Sequence, residues 1–244
     1  MNNATRNSAI YVVGGGKGGV GKSLSSHALV DCLRTPILDP AATPSPEPNE
    51  VCYIESDDSN PDVYKAIHDS AGVHAEVCNL DNEDGYVRLI NTIGARTDLP
   101  VVINTAARAT ATLIEHGGLL AAAAQEQGRE LVMLWVINRQ RDSLELLRQW
   151  LDSKQAYSAV YVVRNLYFGA AEKFDRYNNG RLKTEITGTI DLPEVTAELA
   201  DYLTDHRLAF WADRDRDGNA FSLGYRLALA SWRGRNRKAF APVL

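Results

Sequence analysis

The run Gly14-Gly15-Gly16-Lys17-Gly18-Gly19-Val20-Gly21-Lys22-Ser23 holds the densest chemistry of the chain. From Gly16 to Ser23 it reads G-x-x-x-x-G-K-S, a spacing suited to phosphate. Glycine lets backbone N–H groups turn inward and approach phosphate oxygens without side-chain clash. Gly16, Gly18, Gly19, Val20 and Gly21 supply that cradle, Lys22 reaches the β- and γ-phosphates, and the Ser23 hydroxyl ligates the Mg²⁺ that bridges them. At average glycine usage the pattern arises by chance in roughly one chain in a hundred.

The loop works only if a strand delivers it and a helix leaves it, because the helix N-terminus adds partial positive charge. Ala9-Ile10-Tyr11-Val12-Val13 is an apolar, β-branched run that reads as a buried parallel strand. Residues 22–33 place Leu24, Ala28 and Cys32, with Leu29 and Leu33, at four-residue spacing, which predicts a helix. Residues 35–50 carry prolines at 36, 40, 44, 46 and 48 and read as an exposed loop inside the domain. Further strands are expected at 51–55, 76–80, 101–104, 131–137, 159–163 and 186–190. Helices are expected from Pro61 with Asn60 as N-cap, from Asp81 and Asp84 to Gly94, at 106–127 with a break at Gly117-Gly118, and at 142–154, 194–203 and 221–233. The alternation predicts an α/β fold, a mostly parallel doubly wound sheet flanked by helices, with ligands at the strands' carboxyl ends. Residues 1–244 read as a single domain with a frayed polar start at 1–8.

Composition narrows the setting. Of the 244 residues 45% are apolar and 23% charged, enough for an ordinary core. The net charge of −5 excludes the global basic field of a dedicated nucleic-acid coat. Cys32, Cys52 and Cys78 are odd in number and lack C-x-x-C spacing, so they read as reduced thiols and point to the cytoplasm. No run approaches membrane-spanning length, and the polar N-terminus lacks a signal-peptide core.

The early lysine gives the loop a K-G-G-x-G-K-S form that resembles the deviant Walker A ATPases of the ParA/MinD superfamily. That resemblance implies a P-loop NTPase fold, ATP and Mg²⁺ as ligands, and a homodimer closed by ATP. It also implies that Lys17 reaches across the dimer to the partner's nucleotide, the alternatives being a contact in cis or a solvated side chain. In the family a D-x-D follows the second strand; Glu55-Ser56-Asp57 stands there, making Asp57 the candidate that holds the attacking water. The alternative for Asp57 is capping the helix at Pro61, and Ile37-Leu38-Asp39-Pro40 offers a competing alignment that the surrounding prolines disfavour. The family's next strand ends in Asp, whereas this chain has Asn104, which can bond a Mg²⁺-bound water but adds no charge. The resemblance implies an ATPase, while Asn104 in place of Asp puts metal affinity and turnover in doubt, slow or absent hydrolysis being the alternative. Asn165 matches the family's base-reading asparagine, an amide able to pair with adenine, and Asn138 ends another strand; each also suits a strand-end turn. No N-K-x-D supports GTP specificity.

The segments Ile54-Glu55-Ser56-Asp57-Asp58-Ser59-Asn60-Pro61-Asp62-Val63, Asn138-Arg139-Gln140-Arg141-Asp142-Ser143 and Asn165-Leu166-Tyr167-Phe168-Gly169 resemble the plasmid mobilisation and conjugal-transfer branch, the TraL- and MobD-like proteins. The resemblance implies a switch acting on a protein partner of plasmid transfer, the alternatives being a nucleotide-gated adaptor without turnover or a partition ATPase on unspecific DNA.

Two further segments carry charge. Asp213-Arg214-Asp215-Arg216-Asp217-Gly218 opens like an EF-hand, but Gly224 stands where the bidentate Glu belongs, so a salt-bridged turn is expected. Arg226, Arg233, Arg235, Arg237 and Lys238, interleaved with Tyr225, Trp232 and Phe240, suit DNA phosphates or an anionic membrane surface. The alternative is a terminal helix packed by Leu223, Leu227 and Ala230 with a solvated basic end. The five histidines show no metal-ligand spacing.

Overall fold

Strands buried along their whole length make the centre of the sheet, and partly exposed ones its edges. The structure, a computed structural model, describes residues 9–16, 18–35 and 48–244. The expected frayed start, Lys17, Asp39 and most of the proline-rich segment lie outside the described residues. The strands are β1 (Ile10–Gly14), β2 (Val51–Glu55), β3 (Val73–Val77), β4 (Val101–Asn104), β5 (Leu131–Ile137), β6 (Ala159–Asn165) and β7 (Gly188–Leu192). All pair in parallel, in the order β3-β2-β4-β1-β5-β6-β7. β1 is central, flanked by β4 and β5, so its carboxyl end opens where the chain's direction of winding reverses.

The helices are α1 (Lys22–Arg34), α2 (Asp62–Ile67), α3 (Glu83–Gly94), α4 (Thr110–Glu126), α5 (Arg141–Asp152), α6 (Asp175–Asn178), α7 (Ala197–Asp205) and α8 (Leu223–Phe240). Strand side chains alternate between two cores, as the two-residue period dictates. Tyr11, Val13 and Tyr53 face a core shared with α1, α2, α7 and α8, while Ile10, Val12 and Ile54 face one shared with α3, α4 and α5. Each fully buried Val, Ile or Leu contributes roughly 1.5–3 kcal/mol. Cys32, Cys52 and Cys78 are free and buried.

Several expected boundaries move, each for a local reason. β3 starts three residues before the expected 76–80, because its register against β2 runs from Val51↔Val73 to Glu55↔Val77. β7 is shifted the other way, to Gly188–Leu192, to pair with a β6 that continues to Asn165. The cap of α3 is Asn82, whose side chain accepts from the Gly85 N–H at 3.1 Å, and not Asp81 or Asp84. Asn60 does not cap α2; its own N–H donates to Asp57 Oδ1 at 3.2 Å. α4 runs unbroken through Gly117-Gly118. A Cβ at Gly117 would lie 3.0 Å from the Gln155 side chain, so the glycine serves close packing and not a break.

The C-terminal helix departs most from expectation. It continues to Phe240, and its buried face is Leu229, Trp232, Asn236 and Phe240. Leu223 and Leu227 are 62% and 61% exposed, so the expected packing by Leu223, Leu227 and Ala230 is not found. Both stripes satisfy helical spacing; the one with the rings wins the core. Trp232 Nε1 donates to the Pro193 carbonyl at 2.8 Å, and the Tyr11 hydroxyl donates to the Val243 carbonyl at 2.6 Å. Arg233 donates through Nε and Nη2 to both oxygens of the buried Asp31, at 2.8 and 2.7 Å. Arg237 reaches the Thr35 carbonyl at 2.9 Å. Two of the basic side chains are thus turned onto α1 and not toward a polyanion.

Removing the Arg233 fork strips the buried Asp31 of two charge-assisted hydrogen bonds, leaving Arg34 as a nearby charge. Arg233→Ala should lower unfolding stability in urea by roughly 2–3 kcal/mol. Arg235→Ala, which loses one long bond to the Glu194 carbonyl, should cost under about 0.5 kcal/mol. Equal losses from the two substitutions would show that the Arg233–Asp31 fork is not what fastens α8.

Candidate functional site

The glycine loop leaves β1 and enters α1 at Gly21, whose φ of 102° is a left-handed conformation that side chains resist. No side chain among the described residues caps α1, and its first backbone bond is Ser25 N–H to the Gly21 carbonyl at 2.9 Å. The amides of that first turn point outward unclaimed by a cap, the arrangement that takes an anion. Two elements brace the loop from outside. A Cβ on Gly16 would fall 2.2 Å from Leu146 of α5, and one on Gly21 would fall 2.3 Å from the Asn165 amide nitrogen. Asn165 Nδ2 donates to the carbonyl of the buried Val20 at 3.0 Å. Gly18, Gly19 and Ser23 are exposed, so the cradle is open to a ligand.

Behind the loop lies a charged network. Lys22 is 7% exposed, and burial pulls its ammonium below the usual range while Asp57 and Glu55 push the other way. Glu55 is buried at the end of β2. Its Oε2 accepts from the Tyr53 hydroxyl at 2.7 Å, and its Oε1 accepts from Asn104 Nδ2 at 2.9 Å and the Asp57 N–H at 3.2 Å. Despite these donors, burial pushes its carboxyl up to about 7. Asn104 Nδ2 also lies 3.4 Å from Ser23 Oγ, and Asn104 Oδ1 is buried with no partner among the described residues. The side chain whose Nδ2 faces Ser23 Oγ thus keeps a free acceptor, and that pair of groups fits a hydrated Mg²⁺ that Ser23 would ligate directly and Asn104 would meet through water. Glu55 and Asn104 are register partners on adjacent strands, so the carboxylate missing at 104 is present one strand away. Sequence reasoning passed over Glu55; the available signal was an acid closing an otherwise apolar strand.

The remaining candidates fall as follows. Asp57 Oδ1 accepts from Ser59 Oγ at 2.5 Å and the Asn60 N–H at 3.2 Å, closing a turn ahead of α2. Its carboxylate acts on Lys22 through space. Asn138 Oδ1 accepts from the Gln140 N–H and from Ser143 Oγ, both at 2.9 Å, and serves the entry to α5. Asn165 is 3% exposed and, besides bracing Val20, accepts from the Tyr167 N–H at 3.1 Å. Lys17 lies outside the described residues. Asp215 accepts from the Asp217 and Asn219 N–H groups at 3.0 and 2.8 Å, so that segment is a self-bonded turn. No group of three or more His, Cys, Asp or Glu among the described residues is placed to hold a metal. No helix there is long and apolar enough to cross a membrane.

A glycine cradle between a central parallel strand and an uncapped helix, on a seven-strand parallel α/β sheet, defines the P-loop NTPase fold. A solved structure of the same fold is a chain named as a plasmid partition protein from Borrelia burgdorferi B31, bound to AMPPNP. It is 13% identical, with a TM-score of 0.52 over 98% of this chain and 100% of that one. Protein MobD of Acidithiobacillus ferrooxidans is 37% identical over 240 residues, covering 97% of this chain and 98% of that protein. The chain belongs to the MobD family. No protein-family model matches it.

Burial of Glu55 has a pH signature. Its folded carboxyl is raised from the ordinary 4.5 to about 7, so its stabilising contribution is complete below 4.5 and is lost as pH rises through 7. In metal-free protein, the stability of Glu55→Gln relative to wild type should rise by roughly 2–3 kcal/mol between about pH 5 and about pH 8.5. Urea unfolding at the two pH values measures this, and a flat difference would mean that Glu55 carries its charge without penalty.

Proposed function

We propose that this chain binds ATP with Mg²⁺ and acts as a dimeric, nucleotide-driven switch in plasmid mobilisation. The observation that carries the reading is the open cradle at α1, where uncapped amides, buried Lys22 and exposed Ser23 converge beside the Glu55–Asn104 pair. Gly16, Gly18, Gly19, Val20 and Gly21 line the phosphates, Lys22 neutralises the β- and γ-oxygens, and Ser23 holds Mg²⁺ with Asn104 behind a water. The metal, when bound, offsets phosphate charge; Glu55 supplies the nearby negative charge that Asn104 lacks. Lys17 supplies a second cation in trans and so couples dimerisation to the triphosphate. Asp57, beside Lys22, orients the attacking water.

A second reading, a nucleotide-gated adaptor with little turnover, draws support from Asn104 itself and from the Asp57 oxygen already engaged by Ser59 and Asn60. Partition-type DNA binding through the C-terminal segment draws less, since Arg233 and Arg237 are engaged with α1.

Light scattering with Mg²⁺ and ADP, ATP or a non-hydrolysable analogue, with phosphate release recorded on the same samples, separates these. The switch predicts dimers with ATP and the analogue, monomers with ADP, and measurable release. Lys22→Ala should abolish nucleotide binding. Lys17→Ala should bind nucleotide yet dimerise poorly, and Asp57→Ala should dimerise while losing release at least about tenfold. Dimerisation with no release by wild type establishes the adaptor; an oligomeric state indifferent to nucleotide sinks the switch.

A further inference from the structure

We propose that Tyr167 is the platform on which the nucleotide's base stacks, and that this chain recognises the base by its flat face and not by its edge. The inference rests on the nucleotide reading above.

Tyr167 is the one aromatic ring among the described large apolar residues left exposed, at 62%. It stands two residues past the carboxyl end of β6, on the side of the sheet where the glycine loop opens. Its position relative to that loop is fixed by one side chain. Asn165 Oδ1 accepts from the Tyr167 N–H at 3.1 Å while Asn165 Nδ2 donates to the Val20 carbonyl at 3.0 Å. The root of the ring is therefore two hydrogen bonds from the cradle.

The turn that carries the ring is held as well. Leu166–Phe168 form a single 3₁₀ turn closed by the Gly169 N–H on the Leu166 carbonyl at 3.0 Å. Phe168 meets the Tyr167 ring edge-on at 5.3 Å and 85°. Arg139 fastens the segment from β5's end, donating to the Lys173 carbonyl at 3.0 Å and the Phe168 carbonyl at 3.5 Å. An exposed ring pre-set in this way loses little freedom when a base lands on it.

Edge reading has no equivalent support. An amide that reads adenine must present a donor and an acceptor to the ligand. Asn165 is 3% exposed and has committed one of each to Val20 and Tyr167. Asn138, at the neighbouring strand end, is 8% exposed and spends its oxygen on Gln140 and Ser143. Stacking tolerates any purine because each presents a π-face.

Titration calorimetry of the full chain with Mg²⁺ and ATP, GTP or inorganic tripolyphosphate tests this. ATP and GTP should bind the wild type within about fivefold of each other, and both more tightly than tripolyphosphate. Tyr167→Ala should weaken ATP and GTP by roughly tenfold, the scale of one lost stack, and leave tripolyphosphate unchanged. Tyr167→Phe should restore wild-type affinity. Wild-type ATP affinity in Tyr167→Ala, or a preference for ATP over GTP of about a hundredfold or more, would overturn the stacking role while leaving the phosphate site standing. Failure of the wild type to bind either ATP or tripolyphosphate would overturn the nucleotide reading, and this inference with it.

Discussion

A row of backbone N–H groups at the start of α1, which no side chain among the described residues caps, is the constraint around which the rest is organised. Such a turn has little reason to hold its shape alone, since glycine gains entropy by leaving it. It is kept by its anchors. β1 is pinned between β4 and β5 along its length, Val20 is driven into the core, and Asn165 ties the Val20 carbonyl from β6. α5 closes the other side through Leu146 against Gly16. The sheet order that puts β1 in the centre is therefore part of the site, because only a central strand has neighbours on both sides to hold its exit.

The charge arrangement follows from the same burial. Lys22 sits nearly out of water, where burial works against its charge while Asp57 and Glu55 favour it. Glu55 is the costly partner, a carboxylate surrounded by donors yet raised to about 7 by desolvation. A structure built only for stability would place an apolar residue there. Keeping an acid at that point is the kind of local inconsistency expected where a site must meet a charged ligand. The exchange of roles across the Glu55–Asn104 register pair keeps one carboxylate near Ser23 while moving it to the adjacent strand.

The loop, the strands and the α/β class were legible because they are local: a spacing of glycines and cations, and β-branched runs of strand length. The all-parallel sheet followed from alternation with helices. What stayed hidden depended on contacts distant in sequence. The start of β3 is fixed by its register with β2, and the burial of Glu55 depends on β4 lying beside it. The double use of Asn165 requires a loop 145 residues away. In α8 two stripes of suitable spacing competed, and only the rings' larger buried area, visible once α1 and β7 are in place, decides that Trp232 and Phe240 go in while Leu223 and Leu227 stay out.

The basic C-terminal segment shows why a charge count and a charge field differ. Five cations within a short stretch suggest a polyanion when read as sequence. In the fold, Arg233 is locked by a buried carboxylate and Arg237 by a helix-end carbonyl, so their charges serve to close α8 over α1. A guanidinium engaged by a buried carboxylate cannot turn to a phosphate without leaving that carboxylate unpaired, an exchange that weakens the protein by more than one exposed phosphate contact returns. With a net charge of −5 and these two arginines engaged with α1, the proposed phosphate site rests on local backbone donors at the first turn of α1 and not on a field of basic side chains.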